Sequence, residues 1–243
     1  MSFTSDLKVL YHLIFTRGHG ENLAERMDDF YSKQVDEYDN FRARLLLGRT
    51  EMMQRVPAEE GAVWVDLGGG TGANIEVLGD RIASMKKIYI VDIATSLLEV
   101  AEKRVKARGW TNVEIRNENA LTFTPDEGYA DVVTMSYSPT MIPDWFLAFD
   151  NAFRILKPGG VIGIVDWYVS RKWDNGDRKR HNWFTRNYWP VHFSTDNVFI
   201  SPDHIPYLLH YFEQVSLEER RSKVPYVPFI RVPIYIFIGR KPL

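Results

Sequence analysis

From residue 62 onward, short apolar runs alternate with stretches in which apolar residues recur every three or four positions. A run of four to eight apolar residues bounded by turn residues marks a strand buried on both faces, and the three-to-four spacing marks a helix that covers it. This pattern predicts strands at 62–67, 87–91, 113–116, 130–135 and 161–167, with helices over 74–84, 96–108 and 145–156. Strands and helices in alternation imply a parallel sheet sandwiched between helices, an α/β architecture. The tail departs from this rhythm: strand-like runs at 212–218 and 234–238 flank a Pro-rich connection without helical spacing, which predicts an antiparallel hairpin. Residues 169–201 follow neither period and predict a long irregular insertion.

Ahead of the sheet, residues 23–53 mix polar and apolar positions at helical spacing, with Tyr31, Tyr38 and Phe41 among them, until Pro57 and Gly61 break the pattern. The expectation is an N-terminal helical cap over 1–60 followed by one domain over 61–243, with 169–201 as a substrate lid. The apolar stretch 7–15 is interrupted by Lys8 and His12 and is about half of the roughly 20 residues that a membrane-spanning helix needs. No small-residue cleavage site follows it before Arg17, so it reads neither as a span nor as a secretory leader, and a cytoplasmic location is expected.

Composition narrows the chemistry. The chain of 243 residues has a net charge of −2 and no cysteine. A disulfide framework, a thiol nucleophile and a thiolate metal site are therefore excluded, and global charge gives no attraction to nucleic acid. His181, His192, His204 and His210 lack the spacing of a helical metal pair, so no catalytic metal is expected.

The run VDLGGGTGAN at 65–74 places Gly68, Gly69, Gly70 and Gly72 where a strand turns sharply into a helix while its backbone approaches a ligand. Thr71 and Asn74 complete the turn. The glycines alone suit a dinucleotide as well as S-adenosylmethionine, and a tight turn without a ligand is the plain alternative. Asp66, two residues before the first glycine, is placed to engage the ammonium of a bound amino acid, where a diphosphate would be repelled. Asp92 ends the second strand, where an acid can accept hydrogen bonds from both ribose hydroxyls, with Ile93 beside it.

The run LKPGG at 156–160, ahead of the fifth strand, and the terminal hairpin extend the pattern. The layout over 62–243 resembles that of class I methyltransferases. The resemblance implies a Rossmann-like seven-stranded, mostly parallel sheet with an antiparallel last strand, S-adenosyl-L-methionine as cofactor and S-adenosyl-L-homocysteine as product. It also implies adenine contacts at Asn119 and Ala120 and a face toward the methyl group formed by Ser136 to Ser138; in the cap, outside this resemblance, helical spacing alone makes Tyr31 a candidate to face the cofactor. The Asn-Pro-Pro-aromatic signature of exocyclic base methylation is replaced here by Ser136-Tyr137-Ser138-Pro139, so no nucleic-acid partner is expected.

Two longer stretches, DDFYSKQVDEYDNFRARLLLGR at 28–49 and KVPYVPFIRVPIYIFIGRKP at 223–242, resemble the methyltransferase part of betaine-lipid synthases. That resemblance implies three N-methylations of diacylglycerylhomoserine, a lipid-linked amino acid, to the betaine lipid. It also implies a partner protein or fused segment that transfers an aminobutyrate group to diacylglycerol. Other acceptors, a quinone, sterol or small amine, and a dinucleotide-binding oxidoreductase stay open beside it.

Methyl transfer from a sulfonium is an in-line displacement, so the protein must hold an unprotonated acceptor about 3 Å from the methyl carbon and provide a route for its proton. Tyr38, Tyr137 and Asp166 are the catalytic candidates by position. Tyr31 and Tyr38 are seven residues apart, two helical turns, so both can face one side, as aromatic company for a quaternary ammonium or as plain packing. Between Arg171 and Trp189, six basic residues and five aromatics stand against Asp174 and Asp177 alone. Such a segment suits an anionic membrane surface, with the endoplasmic reticulum as the membrane in a eukaryote, or RNA, or a solvated loop.

Overall fold

The computed structural model describes residues 25, 46–173, 178–194, 197–224 and 227–243. Tyr31, Tyr38 and the apolar stretch 7–15 lie outside them, as does most of the expected helical cap. Seven strands form one sheet: β1 (Val63–Leu67), β2 (Lys87–Asp92), β3 (Val113–Asn117), β4 (Ala130–Ser136), β5 (Leu156–Trp167), β6 (Glu213–Val224) and β7 (Val227–Arg240). Their order is β3-β2-β1-β4-β5-β7-β6. Strands β1 to β5 pair in parallel, and β7 inserts antiparallel between β5 and β6. The expected seven-stranded α/β sheet with its antiparallel last strand is thus the observed one.

The continuous apolar runs explain why the sheet is covered on both faces. Along β1 and β2, Trp64, Ile88 and Ile90 enter one hydrophobic cluster, while Val63, Val65, Tyr89 and Val91 enter the other, as the two-residue strand period requires. The first face is covered by α1 (Arg49–Arg55), α2 (Ala73–Glu76), α3 (Arg81–Ser84) and α4 (Thr95–Arg108), and the second by α5 (Trp145–Ile155) and α7 (His204–Tyr211). Gly163 lets α1 lie close on β5: a Cβ there would meet Val56 Cγ2 at 2.4 Å and Met52 Sδ at 2.9 Å.

Four features differ from expectation. The helix expected over 74–84 is two short helices, because Gly79 adopts φ +55° between them. Strand β5 begins at Leu156, so LKPGG is its first part and not the turn before it. The insertion at 169–201 contains α6 (Trp183–Ser194), whose pattern is hidden by an internal Pro190. Finally, β6 and β7 run through the supposed Pro-rich connection. The ladder between β7 and β5 ends at Trp167 and Ile234; Pro233 follows at its edge, where its carbonyl still accepts from the Tyr168 N–H at 3.2 Å and a missing N–H is tolerated. Among the described residues no helix is long and apolar enough to cross a membrane.

Candidate active site

The sheet order reverses between β1 and β4, and open α/β sheets bind ligands outside the carboxyl ends of their strands at such a switch point. A cleft of about 650 Å³, including its open mouth, lies there. The turn after β1 forms one wall. Gly68 and Gly69 both donate from their backbone N–H to the Val91 carbonyl, at 2.8 and 3.0 Å, which ties the turn to the end of β2. Gly68 has φ +73°, and a Cβ there would sit 2.3 Å from Ser138 Cβ. Only glycine lets the first and fourth strand ends approach so closely.

Asp92 is held at the cleft by the two loops it joins. Its Oδ2 accepts from the Gly70 N–H at 2.9 Å and its Oδ1 from the Ala94 N–H at 3.0 Å. The next wall follows β3, where Asn119 Oδ1 accepts from the Leu121 N–H at 2.9 Å. The turn from Ala120 is fixed from behind by Asn151, whose amide donates to the carbonyls of Ala120 (2.8 Å) and Phe123 (3.0 Å). Sequence reasoning missed Asn151, a buried amide on α5 whose partners lie some thirty positions away.

The fourth wall is Tyr137 to Ile142. Tyr137 has φ +55°, a left-handed backbone on a bulky residue, which is strained and held only by its surroundings. Those surroundings are visible: its N–H donates to the Val165 carbonyl, its hydroxyl donates to the Leu47 carbonyl at 2.7 Å, and its ring meets Trp167 edge-on at 4.8 Å. Burial pushes this phenol far above its ordinary range, so it stays protonated. Ser138 donates its hydroxyl to the Leu67 carbonyl at 2.8 Å.

The structure brings Gly68, Gly70, Asp92, Ile93, Asn119, Ala120, Tyr137 and Ser138 together on this cleft, and adds Leu97, Glu118, Leu121, Met141 and Ile142. Gly69, Thr71, Gly72 and Asn74 stand behind the turn and shape it. Ser136 is buried next to Tyr137, and its hydroxyl oxygen has no hydrogen-bond partner among the described residues.

Two acids do not stand where the sequence suggested. Asp66 is fully buried below the turn, accepting from Thr134 Oγ1 at 2.7 Å and Asn74 Nδ2 at 3.1 Å. Burial raises its pKa to about 6 against those hydrogen bonds. It braces the glycine turn from below and is not among the residues that line the cleft.

Asp166 is also fully buried. Its oxygens accept from the Thr140 N–H and hydroxyl, at 2.9 and 2.8 Å, and from the Trp167 N–H at 2.7 Å. Burial raises its pKa to about 7. It fastens the single 3₁₀ turn Pro139–Met141 and holds the cleft wall without reaching the cleft. His181 is likewise tied into the fold, since it accepts from the Ser170 N–H through Nδ1 and donates from its own backbone N–H to Ser170 Oγ. Among the described residues no group of three or more metal-ligating side chains occurs.

The strand order, the glycine turn after β1 and the acid after β2 define a Rossmann-like methyltransferase fold. Solved structures share it: a methyltransferase from Bacillus halodurans superposes with TM-score 0.63 at 17% identity, over 80% of this chain and 99% of that one. Phosphoethanolamine N-methyltransferase 2 from Haemonchus contortus, in complex with phosphomonomethylethanolamine and S-adenosylhomocysteine, gives TM-score 0.70 at 15% identity, over 92% of this chain and 61% of that one. The chain belongs to the ubiE/COQ5 methyltransferase family, which matches residues 22–191. Among curated relatives, the demethylmenaquinone methyltransferase of Lactococcus lactis is 28% identical over 147 residues, spanning 58% of each protein. That of Geobacillus stearothermophilus is 28% identical over 141 residues with the same coverage.

Proposed function

We propose that this protein transfers the methyl group of S-adenosylmethionine to an acceptor atom in the head of a lipid. One observation carries the choice of cofactor: among the described residues the cleft wall includes two carboxylates, Asp92 and Glu118, and no lysine or arginine. Such a wall favours a ligand with a cationic sulfonium and disfavours a diphosphate, whose charge it would oppose. The geometry fits the nucleoside. Asp92 stands on the cleft wall at the end of β2, where a carboxylate suits ribose hydroxyls, Ile93, Leu97 and Leu121 flank a purine with apolar surface, and Asn119 offers an amide to its edge. The cradle that a Cβ at Gly68 would fill, and the partnerless Ser136 hydroxyl beside it, suit the approach of an amino-acid moiety.

The cofactor supplies an activated methyl group, and the chain's own residues do the rest. Asp66 and Asp92 fix the turn, Asp166 fixes the wall at Thr140, and Tyr137 and Ser138 bound the end of the cleft nearest β4 and β5. Positioning of this kind is the main catalytic contribution that a direct displacement requires.

Family membership and the curated relatives favour a quinone-type acceptor, as in the demethylmenaquinone enzymes. The second reading is the amine of diacylglycerylhomoserine, delivered by an aminobutyrate-transferring partner. It is favoured by the resemblance at 28–49 and at 223–242, of which the latter stretch falls beyond residue 191, where the family match ends. The test is to incubate the purified protein with S-adenosylmethionine and each acceptor in mixed micelles and to weigh the lipids. A mass gain on the demethylated quinone supports the first acceptor, stepwise gains on the amino lipid support the second, and no gain on either contradicts a lipid acceptor.

A further inference from the structure

Helix α6 is apolar on both sides. One side, Thr185 and Trp189 with half-buried Phe193, packs inward, where Phe193 lies 4.8 Å from the Trp167 ring. The other side presents Trp183 (71% exposed), Phe184 (59%), Tyr188 (39%) and Val191 (69%) to solvent. A helix that is hydrophobic all round needs a second apolar partner. Phe184 and Tyr188 stack at 4.9 Å with their planes 12° apart, one turn from each other, so this side is an ordered aromatic surface. Earlier in the same insertion Trp173 is 76% exposed, with the Lys172 ammonium 5.3 Å from its ring centroid.

Charge says what the partner is. Although the whole chain carries −2, residues 171–189 hold six lysines and arginines against two aspartates. Exposed tryptophan and tyrosine among cations match the headgroup region of an anionic bilayer. The helix is also packed to the cleft through the core: ring contacts run from Tyr188 through Trp189, Phe193 and Trp167 to Tyr137 on the cleft wall. We propose that the outer side of α6, with Lys172 and Trp173, docks this protein on anionic membranes and sets the Tyr137 end of the cleft near lipid heads. The use made of docking rests on the lipid-acceptor proposal above, but docking itself is measured without cofactor or acceptor.

The test is flotation with vesicles of equal phosphatidylglycerol and phosphatidylcholine at low salt, compared with pure phosphatidylcholine. The wild-type chain should float with the anionic vesicles alone and be released as salt rises. The combined variant Trp183→Ser, Phe184→Ser, Val191→Ser should partition at least about tenfold more weakly, and Lys172→Glu should weaken binding by a smaller factor. The thermal shift with S-adenosylhomocysteine should be unchanged in both, which shows that they fold and separates this test from that of the cofactor proposal. Three results would overturn the proposal: no flotation of the wild-type chain, equal flotation of the triple variant, or light scattering that shows this side buried between two copies of the chain.

Discussion

The two halves of the sheet solve different problems. From β3 to β4 the ligand-facing groups are short loops at strand ends, tied by backbone hydrogen bonds such as Gly70 to Asp92 and Gly68 to Val91. From β5 to β6 the strands are twelve to fourteen residues long, and what faces the cleft depends on packing between distant segments. Tyr137 is fixed by Leu47, Trp167 and Val165 at once. The first half holds a nucleoside by local chemistry. In the second, long-range packing shapes the end of the cleft that would receive an acceptor, and the family match reaches only residue 191 of it.

The comparison can be broken by exchanging its parts. Gly163→Val should have the largest effect, because a Cβ there already meets Val56 and Met52. The variant should unfold in denaturant with a loss of roughly 3 kcal/mol, the upper range for overpacking a core. If the halves are separable, its folded fraction should still bind S-adenosylhomocysteine, whereas lost affinity would couple them. Asp92→Ala is the reverse case. Titration calorimetry should show S-adenosylhomocysteine affinity reduced by about 1.5–3 kcal/mol, the usual range for hydrogen bonds to a charged group, with a loss of fold stability smaller than that of Gly163→Val.

The smallest effect concerns pH. His204 is fully buried among Trp145 (4.7 Å), Phe149 (5.6 Å) and Tyr235 (6.1 Å), its Nε2 has no partner, and burial lowers its pKa to about 3. The unfolded chain takes up this proton near pH 6.5, so the stability it confers is complete above that pH and is lost as pH falls toward 3. Asp66 and Asp166 act oppositely. Their raised pKa values, about 6 and about 7, give stability that is complete below pH 4 and lost as pH rises through those values. From pH 7 to 5.5, the change in stability of His204→Phe should therefore be about 1.3 kcal/mol more favourable than that of the wild-type chain in parallel denaturant titrations. Equal changes would mean that His204 is not held neutral.

The same division governs what the sequence discloses. Strands β1 to β4, the glycine turn and Asp92 are legible because strand period, glycine spacing and the acid at a strand end are all local signals. Asp66 and Asp166 are legible by position but not by surroundings, since no local pattern tells a carboxylate on a cleft wall from one buried beneath it. The difference is made by Thr134, Asn74 and Thr140, reached only through the fold. Helix α6 escaped because Pro190 and apolar residues on both sides erase the single stripe by which a helix is recognised. Strands β6 and β7 were read too short because Pro233 suggests a break, while the end of β5 pairing beside it makes proline tolerable.

The central claim is that the acid-walled cleft between β1 and β4 receives a sulfonium nucleoside and refuses a diphosphate. The most direct check is thermal unfolding of the full chain with each ligand, because a ligand bound only to the folded state stabilises it by RT ln(1 + [L]/Kd). The account predicts a concentration-dependent rise in Tm with S-adenosylhomocysteine, weakened by Asp92→Ala, and no rise with NAD. A rise with NAD and none with S-adenosylhomocysteine would contradict it.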